Sequence, residues 1–501
     1  MVDILRVKKK NEVFVTVNGD PSVLNELTDF FTFFVPGYKF MPAYKNKLWD
    51  GKIRLFDSRT RELYAGLYPY LKEFAYVEGR DYTIELEHDS YYGYPETDTP
   101  IDMSFMNDMT LTSKGQKIDP RDYQLEAIEH ALRNKRALLV SPTASGKSLI
   151  IYSLLRYYLM NGDDKKVLII VPTTSLVQQM YSDFGDYSQY DDGFNHEAEC
   201  HRIYSGREKI TNSKVVISTW QSIYKMPGQW FEQFGAVFGD EAHNFKAKSL
   251  ISILTKLRDC RYRYGTTGTL DGTQTHKLVL EGLFGTAYYV TTTKTLMDSG
   301  ALAELDIKVL LLKYADEICR GINKIKYQEE LDFIVTYEPR NRFITNLALD
   351  QDGNTLVLFQ YVDKHGKPLY DMIKDKAHSK RKIFFVSGST DVDIREDIRR
   401  ITENEKNAII VASMGTFSTG INIRNLHNII FASPSKSQIR VLQSIGRGLR
   451  KSDDGSITKL FDLADDLHWK KNKNYTLNHA AERIKIYTKE KFNYKIYEVP
   501  L

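Results

Sequence analysis

The fold is decided by the stretch Val237-Phe238-Gly239-Asp240-Glu241-Ala242-His243, in which an apolar run ends abruptly in two adjacent carboxylates. A buried strand that delivers acidic side chains to the edge of a sheet has this pattern, and hard cations such as Mg²⁺ take oxygen ligands. The pattern predicts that Asp240 holds a nucleotide-bound Mg²⁺ through a coordinated water. It also predicts that Glu241 orients and deprotonates an attacking water.

A second element lies upstream, where the apolar run Ala137–Val140 precedes a loop of small residues and then Gly-Lys-Ser. A strand, such a loop and a following helix form a P-loop, whose backbone N–H groups converge on a triphosphate. Lys147 would reach the β- and γ-phosphates, and Ser148 would coordinate Mg²⁺. Ser141 replaces the first glycine of the usual pattern, so the match is imperfect. The predicted nucleotide contacts of this loop are Pro142, Thr143, Ala144, Ser145, Gly146, Lys147 and Ser148.

The order of motifs over residues 120–450 resembles that of superfamily 2 helicases and translocases, with Asp240 to His243 as a DEAH box. The stretch Pro120–Gln124 resembles the adenine-reading Q element of that superfamily. A glutamine amide offers both a donor and an acceptor to the adenine edge. The resemblance therefore implies that Arg121 and Gln124 contact the nucleotide.

Two further motifs of the same resemblance concern the nucleic acid. Val171–Gln179 resembles motif Ia and Ser218–Ser222 the strand-contact motif that follows it, which implies that Thr173 and Thr219 touch a strand. Gly265–Leu270 resembles motif III, which in this superfamily couples hydrolysis to strand movement. The residues implied in coupling are His243, Thr266, Thr267 and Thr269.

Motifs V and VI follow in the second half of the chain. Val411–Asn422 resembles motif V and Gln443–Arg450 is a full Q-x-x-G-R-x-x-R motif VI, which implies nucleotide contacts by Gly420 and Gln443. Arg447 and Arg450 are three residues apart and would share one helix face. An arginine pair is usually a solvated face, but in this motif it would stabilise the charge that develops on the γ-phosphate.

The predicted fold class is α/β, with two tandem RecA-like P-loop domains of parallel sheets and crossover helices, plus a small α+β N-terminal domain. Short apolar runs alternate with helical patterns twice, which is typical of such sheets. The runs are Ala137–Val140, Val167–Val171, Val215–Ser218 and Ala236–Phe238 in the first series, and Ile307–Leu312, Thr355–Phe359, Lys382–Val386, Ala408–Val411 and Asn428–Phe431 in the second. The predicted domains are residues 1–112 (accessory nucleic-acid binding), 113–300 (first motor domain), 301–467 (second motor domain) and 468–501 (a basic helical tail).

The N-terminal segment matches no motor motif. Residues 1–72 contain twelve Lys and Arg against eight Asp and Glu, and Pro21 to Phe34 reads as an amphipathic helix. Between that helix and a predicted strand, lysines alternate with aromatic residues, a pattern that can stack bases and neutralise phosphates. An apolar core with solvated lysines explains the pattern equally well. The candidate nucleic-acid contacts are Lys39, Lys45, Lys47, Trp49, Lys52 and Arg54.

Composition limits the remaining classes of protein. The 501 residues allow about three domains, and the net charge of +4 says little about nucleic acid. The three cysteines lie far apart without a C-x-x-C pair, so a disulfide framework or a zinc site is not indicated. No apolar run is long enough to span a bilayer and residues 1–10 lack a signal-peptide pattern, which predicts a soluble cytoplasmic protein, in the host cytoplasm if phage-encoded.

The forms of motifs Ia and III resemble those of DNA repair and recombination translocases, and the whole chain is similar to phage recombination and repair helicases. That resemblance implies ATP and Mg²⁺ as cofactors and remodelling of branched nucleic acids: forks, four-way junctions, D-loops and R-loops. It further implies DNA or an RNA–DNA hybrid as partner, recombination or replication proteins as further partners, and a monomer. Three alternatives stay open: a restriction-enzyme motor subunit, an RNA helicase, or a non-enzymatic nucleic-acid-binding protein with a decayed motor.

Overall fold

A computed structural model describes residues 3–77, 82–87, 101–204, 206–245, 247–270, 273–416, 425–434 and 457–501 of the chain. The chain forms two compact units, the first comprising Met1–Ser141 and Gly146–Val290, and the second comprising Pro142–Ser145 and Thr291–Leu501. Within the described ranges, no helix combines the length and the apolar character needed to cross a membrane.

The first unit contains a parallel sheet of seven described strands. Four of them are the predicted apolar runs, because strands covered on both faces read as continuous apolar segments. In spatial order the strands are Cys200–Ile203, Val215–Thr219, Lys166–Val171, Phe234–Gly239, Tyr262–Thr267, Arg136–Val140 and Ala287–Tyr289. The helices include Asp122–Asn134, Lys147–Asn161, Thr174–Tyr187, Lys248–Lys256 and Gln274–Phe284, with short ones at His196–Glu199, Trp220–Ile223, Gly228–Phe231 and Ala242–Asn244.

The N-terminal lobe (residues 3–87) has its own sheet, with strands in the order Phe56–Asp57, Glu62–Tyr64, Phe14–Asn18, Asp3–Lys9 and Tyr82–Leu86. Its helices are Pro21–Phe30, Tyr38–Phe40, Pro42–Lys45, Ala65–Leu67 and Tyr68–Ala75. The predicted helix from Pro21 to Phe34 is wrong at its end. The helix stops at Phe30, and the β-prone residues Thr32–Phe34 pair with Lys52–Arg54.

The base of the lobe packs directly on the first motor sheet, and their buried apolar side chains form one continuous core. The Tyr70 hydroxyl donates to a carboxylate oxygen of Glu281 at 2.6 Å, and Glu281 is fully buried. A Cβ at Gly66 would collide with the carbonyl oxygen of Glu281, so the two backbones approach as closely as only glycine allows. The lobe and the first motor sheet are therefore a single packed body.

The second unit also has a parallel sheet, with described strands in the order Ile383–Val386, Ile409–Ser413, Thr355–Phe359, Asn428–Phe431, Thr458–Asp466, Leu305–Lys313 and Tyr494–Pro500. Its helices include Thr293–Asp298, Asp316–Gly321, Tyr327–Thr336, Glu338–Leu349, Val362–Gly366, Lys367–Lys376, Val392–Asn404 and Tyr475–Lys489. Tandem parallel-sheet motor domains with a small N-terminal domain confirm the predicted fold class.

The predicted basic helical tail of residues 468–501 is only partly helical. Tyr475–Lys489 is a helix, but Tyr494–Pro500 is a strand that pairs along Leu305–Lys313. Arg483 in that helix is fully buried and donates to Asp462 at 2.9 Å. Counting lysines and arginines missed this integration, because a buried arginine with an acidic partner contributes nothing to a basic surface.

Candidate active site

The P-loop joins the buried strand Arg136–Val140 to the helix that begins at Lys147. Gly146 has φ +82° and Ala144 has φ +67°, so the loop contains two left-handed residues, one of which is not glycine. A non-glycine residue in this conformation is strained and is common at ligand sites. The ammonium of Lys147 donates to the carbonyl oxygen of Ser141 at 3.2 Å, which holds its side chain over the loop.

The Q element lies against this loop. Gln124 is buried, its amide oxygen accepts from the backbone N–H of Arg121 at 2.9 Å, and a Cβ on Gly146 would collide with its amide nitrogen. Arg121 donates to the hydroxyl of Tyr123 at 2.7 Å. Gln124 is thus oriented by the start of its own helix and lies next to the P-loop backbone.

Asp240 and Glu241 follow the strand Phe234–Gly239, at the same end of the sheet as the P-loop. Asp240 is buried and accepts from the hydroxyl of Thr266 at 2.8 Å and from the backbone N–H of Glu241 at 2.9 Å. Burial, and next the charge of Glu241, raise the pKa of Asp240 above its usual range, although Lys147 acts to lower it. The carboxylate therefore lies in a place where a bound cation would strongly favour its ionised form.

The predicted coupling residues surround this pair. Nδ1 of His243 lies 3.4 Å from a carboxylate oxygen of Glu241 and 3.0 Å from the hydroxyl of Thr267, which donates to the carbonyl oxygen of Thr269 at 3.0 Å. Glu241 itself has φ +49°, a left-handed conformation that is unusual for glutamate. Motif III and the DEAH box thus form one hydrogen-bonded cluster, and its glutamate is held in a strained backbone.

Four predicted site residues lie outside the described residues: Gly420, Gln443, Arg447 and Arg450.

A groove of about 520 Å³ lies in the first unit at the start of the helix Thr174–Tyr187. The predicted strand contacts Thr173 and Thr219 both line it. Sequence reasoning missed other residues that line the groove, including Tyr204, Arg207 and Lys209, although the basic residues beside a glycine were a signal.

The tip of the N-terminal lobe (residues 34–54) contains the other residues that were predicted to contact nucleic acid. A cavity of about 640 Å³ is lined by Lys39, Tyr44, Lys45, Lys47, Leu48, Trp49 and Asp50. Phe40 and Leu48 are each 81% exposed, which is unusual for large apolar side chains in one short segment. Arg54 pairs with Asp50 at 2.5 Å, and the Lys52 ammonium lies 5.1 Å from the centre of the Phe34 ring. The tip thus combines lysines with exposed apolar surface, as an accessory contact would.

Comparison with known proteins identifies this arrangement. Residues 3–87 match the family described as DNA helicase UvsW, N-terminal, residues 117–272 match Type III restriction enzyme, res subunit, and residues 339–452 match Helicase conserved C-terminal domain. The chain is 38% identical to the ATP-dependent DNA helicase uvsW of Enterobacteria phage T4, over 97% of this chain and 98% of that protein. The chain belongs to the UvsW helicase family.

The crystal structure of T4 UvsW is similar over 100% of both chains, with 35% identity and a TM-score of 0.51. The DNA 3'-5' translocase XPB2 of Sulfurisphaera tokodaii is 22% identical over 72% of this chain and 84% of that protein. The superfamily 2 resemblance and the prediction of an ATP-dependent helicase are confirmed. The restriction-enzyme match is confined to motor residues, whereas the UvsW likeness includes the N-terminal lobe, so the restriction-motor alternative is not favoured.

Proposed function

We propose that this UvsW-family helicase uses Mg²⁺ with ATP to remodel branched DNA, including forks, four-way junctions, D-loops and R-loops. One observation supports the proposal above all. Lys147, Ser148, Asp240 and Glu241 lie at one end of the first motor sheet, and motif III is hydrogen-bonded to Asp240 and His243 of the DEAH box.

The donor set suits Mg²⁺, which takes one or two protein oxygens and completes its octahedron with phosphates and waters. Among the described residues, no group of three or more His, Cys, Asp or Glu side chains could hold a metal ion without other ligands. Ser148 would hold the ion directly and Asp240 through water, and the ion would neutralise charge on the β- and γ-phosphates. Glu241 would accept the proton of the attacking water.

The remaining residues act on the nucleotide and the strand. Lys147 would leave the carbonyl of Ser141 to bind the phosphates, and Arg447 and Arg450 would stabilise the transferred γ-phosphoryl group. Thr173 and Thr219 line the groove that would follow one strand. The lobe tip would add a second contact, because a groove that grips one backbone does not by itself distinguish a junction from a plain strand.

The test compares single strands, plain duplex and a four-way junction as activators of ATP hydrolysis. The junction should activate most strongly. Lys147→Ala should abolish turnover, whereas Lys165→Ala, which changes a half-buried lysine beside Asp259, should not. Glu241→Gln should keep nucleotide binding and lose turnover. Equal activation by all three DNAs would refute branch preference, and hydrolysis by Lys147→Ala would refute the site.

A further inference from the structure

One contact in the nucleotide site involves a residue that no motif includes. The hydroxyl oxygens of Ser148 and Tyr187 lie 2.8 Å apart. Tyr187 is the last residue of the helix Thr174–Tyr187, and its ring packs on Tyr152 with centroids 5.6 Å apart. A phenylalanine would fill the same space, so packing alone does not require the hydroxyl.

The other end of this helix lies at the strand groove. Thr173 is its N-cap, accepts from the backbone N–H of Leu176 at 3.3 Å and lines the groove together with Thr174. The helix has 14 residues, which corresponds to about 20 Å at 1.5 Å per residue. One rigid element within the first unit therefore extends from the groove to the hydroxyl that would bind Mg²⁺.

We propose that Tyr187 is a positioning residue for Ser148 and that it links the Mg²⁺ site to the strand groove through the helix Thr174–Tyr187. This inference rests on the proposed roles of Ser148 and of the groove. A serine hydroxyl has one proton and two lone pairs. When a lone pair binds a cation, the proton needs an acceptor, and the phenolic oxygen of Tyr187 is within reach of it. Tyr187 thereby turns the lone pairs of Ser148 towards the cation.

The experiment uses the full chain and measures binding of a fluorescent, non-hydrolysable ATP analogue while Mg²⁺ is titrated. Tyr187→Phe should raise the Mg²⁺ concentration at half-saturation about three- to tenfold, the effect of one lost hydrogen bond. Binding of the analogue in EDTA should stay unchanged. The control Tyr190→Phe makes the same change at a side chain that is 58% exposed and should match the wild type. An unchanged or lower Mg²⁺ midpoint in Tyr187→Phe would overturn the inference.

The Ser148→Ala variant tests whether Tyr187 acts through Ser148 and whether Ser148 is a metal ligand. If Tyr187 acts through Ser148, Tyr187→Phe should have no further effect on the Mg²⁺ midpoint in the Ser148→Ala background. An equal effect in both backgrounds would show that Tyr187 acts elsewhere. If Ser148→Ala alone left the midpoint unchanged, the proposed metal ligand itself would be wrong.

The link to the groove has its own readout. Adding a single-stranded oligonucleotide should lower the Mg²⁺ midpoint of the wild type, and the decrease should be smaller in Tyr187→Phe. An equal decrease in both proteins would refute the helix as the connection.

Discussion

Two strand ends of this molecule carry adjacent carboxylates, and the two pairs have different hydrogen-bond partners. In the first sheet Asp240 and Glu241 follow Phe234–Gly239, and in the second sheet Asp465 and Asp466 end Thr458–Asp466. Asp465 and Asp466 directly follow the apolar residues Leu463 and Ala464, so an acidic pair after apolar residues occurs at both strand ends.

The second pair is neutralised by the protein itself. Asp465 is fully buried, accepts from Arg340 at 2.6 Å and from the Tyr314 hydroxyl at 2.7 Å, and Lys313 donates to Asp466 at 2.6 Å. Buried charge is tolerated when it is paired and fully hydrogen-bonded, and such a pair is then structural.

The first pair is surrounded differently. Asp240 is bonded by a threonine hydroxyl and a backbone N–H, and its pKa is raised mainly by burial. The comparison shows that arginine and lysine side chains bond the carboxylates of the second pair, whereas Asp240 is bonded by neutral donors in a buried place that favours a bound cation.

The largest expected effect concerns Arg450, whose guanidinium would act on the nucleotide beside the first pair only during catalysis. Arg450→Ala should lower kcat on the order of 10³-fold or more, the range for lost arginine fingers. The reason is that the Arg450 guanidinium would stabilise the charge that develops on the γ-phosphate. ATP affinity should fall far less. Steady-state ATPase assays with saturating DNA give both quantities. Normal turnover with weakened DNA binding would instead assign Arg450 to the strand.

The next effect is on stability and concerns the second pair. Arg340→Ala leaves the buried carboxylate of Asp465 without its cation, and should lower the free energy of unfolding by about 3–5 kcal/mol. Arg342→Ala is the matched control, because Arg342 is exposed and pairs with Glu338 one helical turn away, which is worth about 0.5 kcal/mol. Urea unfolding compares the two variants. Equal losses would mean that the Asp465 pair is not the structural counterpart described above.

Asp466 provides a smaller, pH-dependent effect. Burial opposes its ionisation, but hydrogen bonds from Lys313 and His468 lower its pKa below the usual 3.8. A carboxylate with a lowered folded-state pKa stabilises the fold above its unfolded pKa, and that stability is lost as pH falls through the lowered value. Asp466→Asn should therefore melt below the wild type near neutral pH and converge with it in acid.

The control for this pH effect is Asp306→Asn, which changes a half-exposed aspartate on the neighbouring strand 3.7 Å from Lys308. Its melting temperature should follow the wild type across the pH range. A constant difference between Asp466→Asn and the wild type at every pH would mean that packing, and not charge, is responsible.

The two sheets also show which strands can be predicted from the sequence alone. Apolar runs located four strands of the first sheet and five of the second, because strands covered on both faces leave a continuous signal. The central strands Tyr262–Thr267 and Thr458–Asp466 were missed, since polar residues interrupt them. The edge strands Cys200–Ile203, Ala287–Tyr289 and Tyr494–Pro500 were also missed, because pairing with a neighbour decides their conformation.

For the nucleotide site, too, the sequence predicts neighbours along the chain but not contacts made by folding. Spacing located the P-loop and the DEAH box, because phosphate chemistry requires those residues next to each other in the chain. Tyr187 reaches the site only through folding, and no local pattern marks it. The partners of Asp465 lie 125 and 151 residues away, so the neutralisation of that pair could not be predicted.

The smallest expected effect extends the comparison to the surface of the lobe tip. Lys47 is exposed and lines the cavity of the tip, whereas Arg54 is paired with Asp50 at 2.5 Å. A charge that the protein has already neutralised releases fewer counterions when DNA binds. Lys47→Ala should therefore reduce the slope of log affinity against log salt by about one unit, and Arg54→Ala by less.

Binding of a four-way junction measured at several salt concentrations gives both slopes. Point variants suit this test better than removal of the lobe, because its base shares a core with the first motor sheet. A matched measurement on a plain single strand shows whether the tip reads the branch, since the loss should then be larger on the junction. Identical slopes for wild type and Lys47→Ala on the junction would exclude Lys47 as a phosphate contact.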